Sequence, residues 1–174
     1  MSKPTQQGFT LIELMVAIAV LAIMLAIGLP SFQGSLRSNR VATSTNDMLA
    51  ALSLARTEAI RNTRGSAVCA SADGLACDGE WDQGWLVFSD TDRNGALNAG
   101  EVILRYTAVD EQLDVGGPDA DVLRFDARGR LHADLGGQQV LTIASSPCPA
   151  GEMLVRAFTI TPTGQVRTDR EACE

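Results

Sequence analysis

Lysine and histidine are almost missing from this chain. Lys3 and His132 are the single copies of each in 174 residues, and tyrosine also occurs once. A nucleophile–base pair needs its partners within hydrogen-bond reach, and no motif sets a serine or cysteine beside the lone imidazole of His132. The four cysteines contain no CxxC pair, so with one histidine the ligand spacing of a structural zinc site is absent. No P-loop or dinucleotide fingerprint occurs, and clusters such as Gly116-Gly117 read as turn punctuation. Internal repeats and low-complexity tracts are lacking as well. The formal net charge of −7 is not the balance of a nucleic-acid binder. These absences argue against an enzyme.

What the chain does have is a 21-residue apolar run, Phe9 to Leu29, whose single ionisable side chain is Glu13. As one helix rising about 1.5 Å per residue, such a run crosses roughly 30 Å of hydrocarbon. A carboxylate inside it costs about 2.5–3.5 kcal/mol or more at the bilayer centre. An isolated helix offers Glu13 no partner, so the run points to assembly with other membrane helices. A secretory signal ends its apolar region with a small-residue cleavage site. Here the small residue, Gly8, precedes the apolar region and follows a short polar segment, Met1 to Gly8. A cut after Gly8 leaves the hydrophobic helix as the new N-terminus.

The string Gly8-Phe9-Thr10-Leu11-Ile12-Glu13-Leu14 resembles the prepilin peptidase site of type IV pilins and type II secretion pseudopilins. The resemblance implies N-methylation of Phe9 and pairing of Glu13 with the terminal amine of a neighbouring subunit. Pro30 stands where that family often carries a proline. Asn39-Arg40-Val41, Asn46-Asp47, Ala51-Leu52 and Ala55-Arg56-Thr57-Glu58-Ala59 resemble the FimT/FimU and GspH branch. The implied function is that of a minor type IV pilin in pilus assembly and initiation. The alternative is a GspH-like minor pseudopilin of a type II secretion system. The implied partners are other pilins, the prepilin peptidase, the inner-membrane assembly platform and membrane lipid. The implied location is the bacterial inner membrane, single-pass, with the head in the periplasm.

Four segments follow: a leader over 1–8, a transmembrane helix over 9–29, an amphipathic continuation over 30–64 and a β-rich head over 65–174. Pro30 lacks an N–H and is expected to kink or interrupt the helix. Val41, Leu49, Leu52, Ala55, Ala59 and Ile60 give the continuation one packing face. Between Arg37 and Arg64, five arginines stand against Asp47 and Glu58, which reads as a solvated face. After Gly65, short β-like runs are broken by glycine, proline and aspartate. They are Ser66–Ala70, Gly84–Ser89, Glu101–Tyr106, Val122–Asp126, Val140–Ala144, Phe158–Thr161 and Val166–Thr168. Gly116-Gly117-Pro118 and Gly136-Gly137 read as turns, and Trp81 and Trp85 as packing residues flanking another. The expected class is α+β, a long N-terminal helix packed on an antiparallel β head, which is also the pilin-like fold that the resemblance implies.

Cys69, Cys77, Cys148 and Cys173 all lie beyond the apolar run. In an oxidising compartment they allow three connectivities. Cys69–Cys77 and Cys148–Cys173 are favoured, because each closes a local or terminal loop. Asp90-Thr91-Asp92-Arg93-Asn94-Gly95-Ala96-Leu97-Asn98-Ala99-Gly100-Glu101 fits the twelve-residue calcium-loop pattern throughout. Its donors would be Asp90, Asp92, Asn94, the Ala96 carbonyl, Asn98 and Glu101, holding a weak structural calcium. The flanking runs read as strands, not as the helices of an EF-hand, and an acidic hairpin turn without metal fits the same residues.

Arg128-Gly129-Arg130 and the stretch from Thr163 to Arg170 place cations beside glycine turns. Some competence-type FimT proteins bind DNA through a C-terminal Gly-Arg-x-Arg element. Gly164-Gln165-Val166-Arg167 matches that frame with Gln165 in place of the first arginine, making Arg167 and Arg170 candidate DNA contacts. Losing one phosphate contact weakens binding, and thirteen acidic against three basic residues over 73–126 oppose it. The other reading is a terminal hairpin whose arginines pair with Asp169, Glu171 or the acidic head.

Overall fold

The computed structural model describes residues 9–118 and 120–174, without the side chains of Pro30 and Ser31. The 1–8 leader, Gly8 included, lies outside the described residues. Two compact units divide the chain, one reaching to Leu36 and one running from Arg37 to Glu174. Helix α1, Leu11–Asn62, passes from one to the other.

In the first unit, the helix is built from alanine, leucine, isoleucine and methionine, residues of good to moderate helix propensity. Its side chains from Phe9 to Leu29 are exposed throughout. The interruption expected at Pro30 is not there: α1 is continuous through it. Proline removes one N–H and crowds one carbonyl, and here the surrounding helix formers carry the backbone through.

The second unit joins the C-terminal part of α1 to two four-stranded antiparallel sheets. The first contains β1 (Gly65–Ala70), β2 (Gly84–Phe88), β3 (Ile103–Ala108) and β5 (Val122–Asp126), ordered β3-β2-β1-β5. The second contains β4 (Leu113–Gly116), β6 (Gln139–Ser145), β7 (Val155–Ile160) and β8 (Val166–Glu171), ordered β4-β6-β7-β8. A short 3-10 turn, Ala133–Leu135, follows β5.

One core serves all three layers. Val41, Met48, Ala51, Leu52, Ala55 and Ala59 of α1 recur at spacings of three, four and seven, so they share one helix face. They pack in one cluster with Val68, Trp85, Val87 and Leu123 of the first sheet and Leu141, Ile143, Phe158 and Ile160 of the second. Central strands β1 and β2 are buried at every position. Their other face holds a small second cluster of Ala67, Cys69, Leu86 and Phe88. Trp81 and Trp85 are both core residues. Ile60, expected on the packing face, is 48% exposed, because it lies one position beyond the Val41–Ala59 stripe.

Several strand boundaries differ from those read in the sequence. β3 begins at Ile103, not Glu101, since Glu101 caps the preceding loop. β7 begins at Val155 and β8 continues to Glu171, because pairing from Val155↔Glu171 to Ile160↔Val166 supplies backbone bonds that charged residues do not advertise. β4 matches none of the runs expected from the sequence, and its last residue, Gly116, opens the expected Gly116-Gly117-Pro118 turn. Its alternation is sound, with Leu113 and Val115 buried and Asp114 and Gly116 exposed. Four residues against β6 are too short to register as a pattern.

Both favoured disulfides are present, Cys69–Cys77 and Cys148–Cys173, with Cα–Cα distances of 5.6 and 5.5 Å. The second ties the end of the chain to the loop after β6, and Gly151 and Cys173 exchange a backbone bond beside it.

The common core sets a stability prediction. Phe158→Ala should cost about 3–5 kcal/mol, read from denaturant unfolding by the fluorescence of Trp81 and Trp85. Ile60→Ala should stay within about 0.5 kcal/mol of the parent, as for an ordinary surface substitution.

Candidate functional site

The sequence nominates three places, and the structure treats them differently. At the start of α1, Phe9 is 87% exposed, and Glu13 lies exposed in the first helical turn. The Glu13 backbone N–H donates to Thr10 Oγ1 at 3.3 Å, and the Leu14 N–H donates to the Thr10 carbonyl at 3.2 Å. Thr10 and Glu13 thus stand in the Thr-x-x-Glu spacing of a capping box, a local role the sequence reading passed over. An acidic group in this turn gains about 0.3–1 kcal/mol from the helix dipole. Burial in hydrocarbon costs about 2.5–3.5 kcal/mol or more at the bilayer centre. The local compensation is the smaller of the two quantities.

The helix ends on a polar knot. The Asn62 side-chain oxygen accepts from the N–H groups of Arg64 and Gly65 at 2.8 and 3.1 Å. Its amide donates to the Gly65 carbonyl and to Ser89 Oγ at 2.8 and 2.9 Å. Buried Glu58 accepts from Arg61 at 2.7 Å. Sequence pattern missed Asn62, although asparagine at a helix end is a known stop signal. The arginines of this stretch are less free than expected, since Arg40 meets Asp110 at 3.5 Å and Arg56 donates to the Gly164 carbonyl at 2.8 Å.

The hairpin between β2 and β3 carries the calcium-loop residues. One carboxylate oxygen each from Asp90, Asp92 and Glu101 lies within 4.8 Å of the others. Asp92 accepts from Asn94 N–H at 3.1 Å, from the Asn94 amide at 2.9 Å and from the Asn98 amide at 3.0 Å. Glu101 accepts from Thr91 N–H at 2.6 Å, from Thr91 Oγ1 at 3.2 Å and from Asn98 N–H at 3.1 Å. Asn94 Oδ1 accepts from Ala96 N–H at 2.7 Å. Gly95 sits at φ +78°, where a Cβ would press on Arg124. The six nominated residues therefore share one loop whose side chains turn inward.

Arg124 is the hub that sequence analysis missed. From β5 its guanidinium lies 3.5 Å from Asp90 and 2.5 Å from Asp134, and it donates to the Arg93 carbonyl. His132 Nδ1 closes the chain at 2.6 Å from Asp134. Partial burial works to raise the Asp134 pKa, but the His132 hydrogen bond and the charges of Arg124 and His132 outweigh it and hold the carboxyl below the usual aspartate value. Arg64, Arg93, Arg124 and Arg128, with Asp90 and Asp126, line a cleft of about 170 Å³ beside this loop.

The C-terminal arginines do not form one patch. Arg167 and Arg170 are three apart on β8, and side chains alternate across a strand, so they occupy opposite faces. Arg170 lies directly across from Arg156. Burial and then the Arg170 charge hold the Arg156 pKa below its ordinary value. Among the described residues neither Arg167 nor Arg170 makes the ion pair expected with Asp169 or Glu171. Gly164 is a packing position: at φ +76° a Cβ there would lie 2.1 Å from the Gly129 carbonyl oxygen.

The comparisons with known proteins agree on the fold. The family model for type II transport protein GspH matches residues 44–164, and the prokaryotic N-terminal methylation motif matches residues 3–29. Over 32 residues the chain is 62% identical to prepilin peptidase-dependent protein D of Escherichia coli K12, covering 18% of this chain and 22% of that protein. Over 46 residues it is 44% identical to fimbrial protein EcpC of Eikenella corrodens, covering 26% and 30%. The chain thus spans less than a third of either relative. Among solved structures, the type IV minor pilin FimU of Pseudomonas aeruginosa superposes with a TM-score of 0.54 at 19% identity, covering 75% of this chain and 89% of FimU. The minor pseudopilin EpsH of the Vibrio cholerae type 2 secretion system gives 0.51 at 17% identity, covering 75% and 97%.

The Asp134 arrangement carries a pH prediction. A carboxyl whose pKa is lowered on folding stabilises the fold above its unfolded value of about 3.9. That contribution disappears as pH falls through the lower folded value. Asp134→Asn should therefore flatten the acid limb of stability below about pH 4, as read from denaturation midpoints across pH. The effect should be small, since Asp134 is half exposed to solvent.

Proposed function

The chain belongs to the GspH family of type II transport proteins, and from that premise we propose that it is a minor pilin-type subunit that acts by assembly. The observation that carries this reading is the unburied apolar stretch of α1, which bears one carboxylate in its first turn. The stretch matches the N-terminal methylation motif, and α1 continues into a head with a core of its own.

In this reading the stretch first anchors the chain in the inner membrane, with the head in the periplasm. A prepilin peptidase cuts after Gly8, and Phe9 becomes the methylated N-terminus. Apolar helices of neighbouring subunits then bundle and exclude lipid, and Glu13 accepts the terminal ammonium of the next copy. A buried pair of this kind selects register more than it adds net stability, whereas removing one partner leaves a charge uncompensated. The head, held by two disulfides, presents its surface to other subunits.

FimU is a minor pilin and EpsH a minor pseudopilin by description, and both serve the same assembly logic. Pilus initiation is the setting we propose and type II secretion the alternative, since the α1 residues resemble FimT/FimU and GspH alike. DNA uptake through Arg167 and Arg170 is the weaker reading, since the two side chains occupy opposite faces of β8.

Intact mass of protein recovered from membranes tests the processing step. The mature protein should lack Met1–Gly8 and carry one added methyl group, and reduction should add four protons. An uncleaved chain in a host with active prepilin peptidase refutes the reading. Glu13→Ala should still be cleaved yet be lost from sheared filaments at least about tenfold, the cost of roughly 1.4 kcal/mol in incorporation. Normal incorporation of the variant would remove Glu13 from the mechanism.

A further inference from the structure

We propose that the β2–β3 hairpin binds one calcium ion through Asp90, Asp92, Asn94, the Ala96 carbonyl, Asn98 and Glu101. The inference is independent of filament assembly and rests on the loop alone. Its first support is convergence: the Asp90, Asp92 and Glu101 oxygens lie within 4.8 Å of one another, a spread that one ion can bridge with bonds of about 2.4 Å. Three carboxylates this close repel one another, and a cation between them relieves that repulsion.

The second support is independent of the acidic cluster as such. Asp90 is 2% exposed, and its Oδ1 is buried with no hydrogen-bond partner. A buried charged oxygen without a partner is costly. Its other oxygen, Oδ2, takes the Gly95 N–H at 3.2 Å and faces Arg124 Nε at 3.5 Å. Arg124 thus occupies one side of the carboxylate, while Oδ1 is left without a partner within the protein.

The remaining donors lie in the same loop. The amides of Asn94 and Asn98 both donate to the same Asp92 oxygen. Turning the Asn98 amide over replaces a nitrogen with an oxygen at that point without moving the backbone, whereas Asn94 Oδ1 must first leave the Ala96 N–H. Gly95 at φ +78° makes the turn that lets positions on both sides face inward, and Glu101, at the end of the loop, can reach the ion with two oxygens. Strands on both sides, in place of EF-hand helices, make the ion a clamp on the hairpin with no helix pair to open.

With three carboxylates and two nearby arginines, the affinity expected is that of extracellular modules, a Kd of about 0.1–1 mM. The test uses the full chain in detergent micelles, stripped with chelator and titrated with calcium chloride alone. Saturable heat in that range is expected, with a thermal midpoint that rises as calcium is added. Magnesium, which demands tighter octahedral geometry, should leave the midpoint where it is. Asp92→Asn should weaken calcium binding at least about tenfold. The calcium-free midpoint of this variant is measured alongside, so that a change in the fold is separated from loss of the site. Glu101→Gln is the second variant and should weaken binding likewise. No saturable heat and an unmoved midpoint up to about 10 mM calcium, ten times the weakest expected Kd, overturn the proposal. Undiminished calcium affinity in Asp92→Asn does so as well.

Discussion

The apolar face of α1 from Val41 to Ala59 is the surface on which the rest of the head is built. Residues of α1 and of both four-stranded sheets share one core cluster. Val68, Val87 and Leu123 of one sheet and Leu141, Ile143 and Phe158 of the other join the same cluster through Met48, Leu52 and Ala55. Alanines at 51, 55 and 59 are fully buried, and their size lets strands approach the helix closely. The polar knot at Asn62 then fixes where the helix stops and β1 begins. Loss of packing at this face would remove the platform for both sheets together.

The same helix carries a second and opposite demand. Its N-terminal stretch exposes Phe9, Leu11, Ile12 and the apolar residues that follow, a surface that water penalises and that lipid or other helices relieve. Glu13 is the exception in this stretch, with a helix-end compensation smaller than its cost in hydrocarbon; its pairing with another subunit is the proposal made above. One helix therefore supplies the folding platform of the head and, in the function proposed above, the assembling surface of the subunit. The two disulfides are suited to an oxidising compartment.

Much of this was legible along the chain. The Phe9–Leu29 run, Glu13 and the segment around Gly8 are local patterns, and local patterns survive without a tertiary context. Most strands were legible for the same reason: Val122–Asp126 alternates cleanly, with Leu123 and Phe125 inward. β4 was not, because four residues give two buried positions and pairing with β6 decides the rest. The end of β8 was hidden too, since Asp169, Arg170 and Glu171 have no β signal of their own and are strand only by pairing with β7.

Sequence by itself determined the composition-driven features: an apolar N-terminal helix with one carboxylate, a β-rich remainder, and the loop of oxygen donors from Asp90 to Glu101. Pairing of the cysteines was inferred from loop size, and the fold brings those pairs within bridging distance. Only the tertiary structure decided which charges meet. Arg124, unremarkable in sequence, connects Asp90, Asp134 and the Arg93 carbonyl, whereas Arg167 and Arg170, close in sequence, are separated by the strand between them. The reason is geometric. Hydrophobic period is written in neighbours along the chain, but an ion pair depends on where two distant backbones cross.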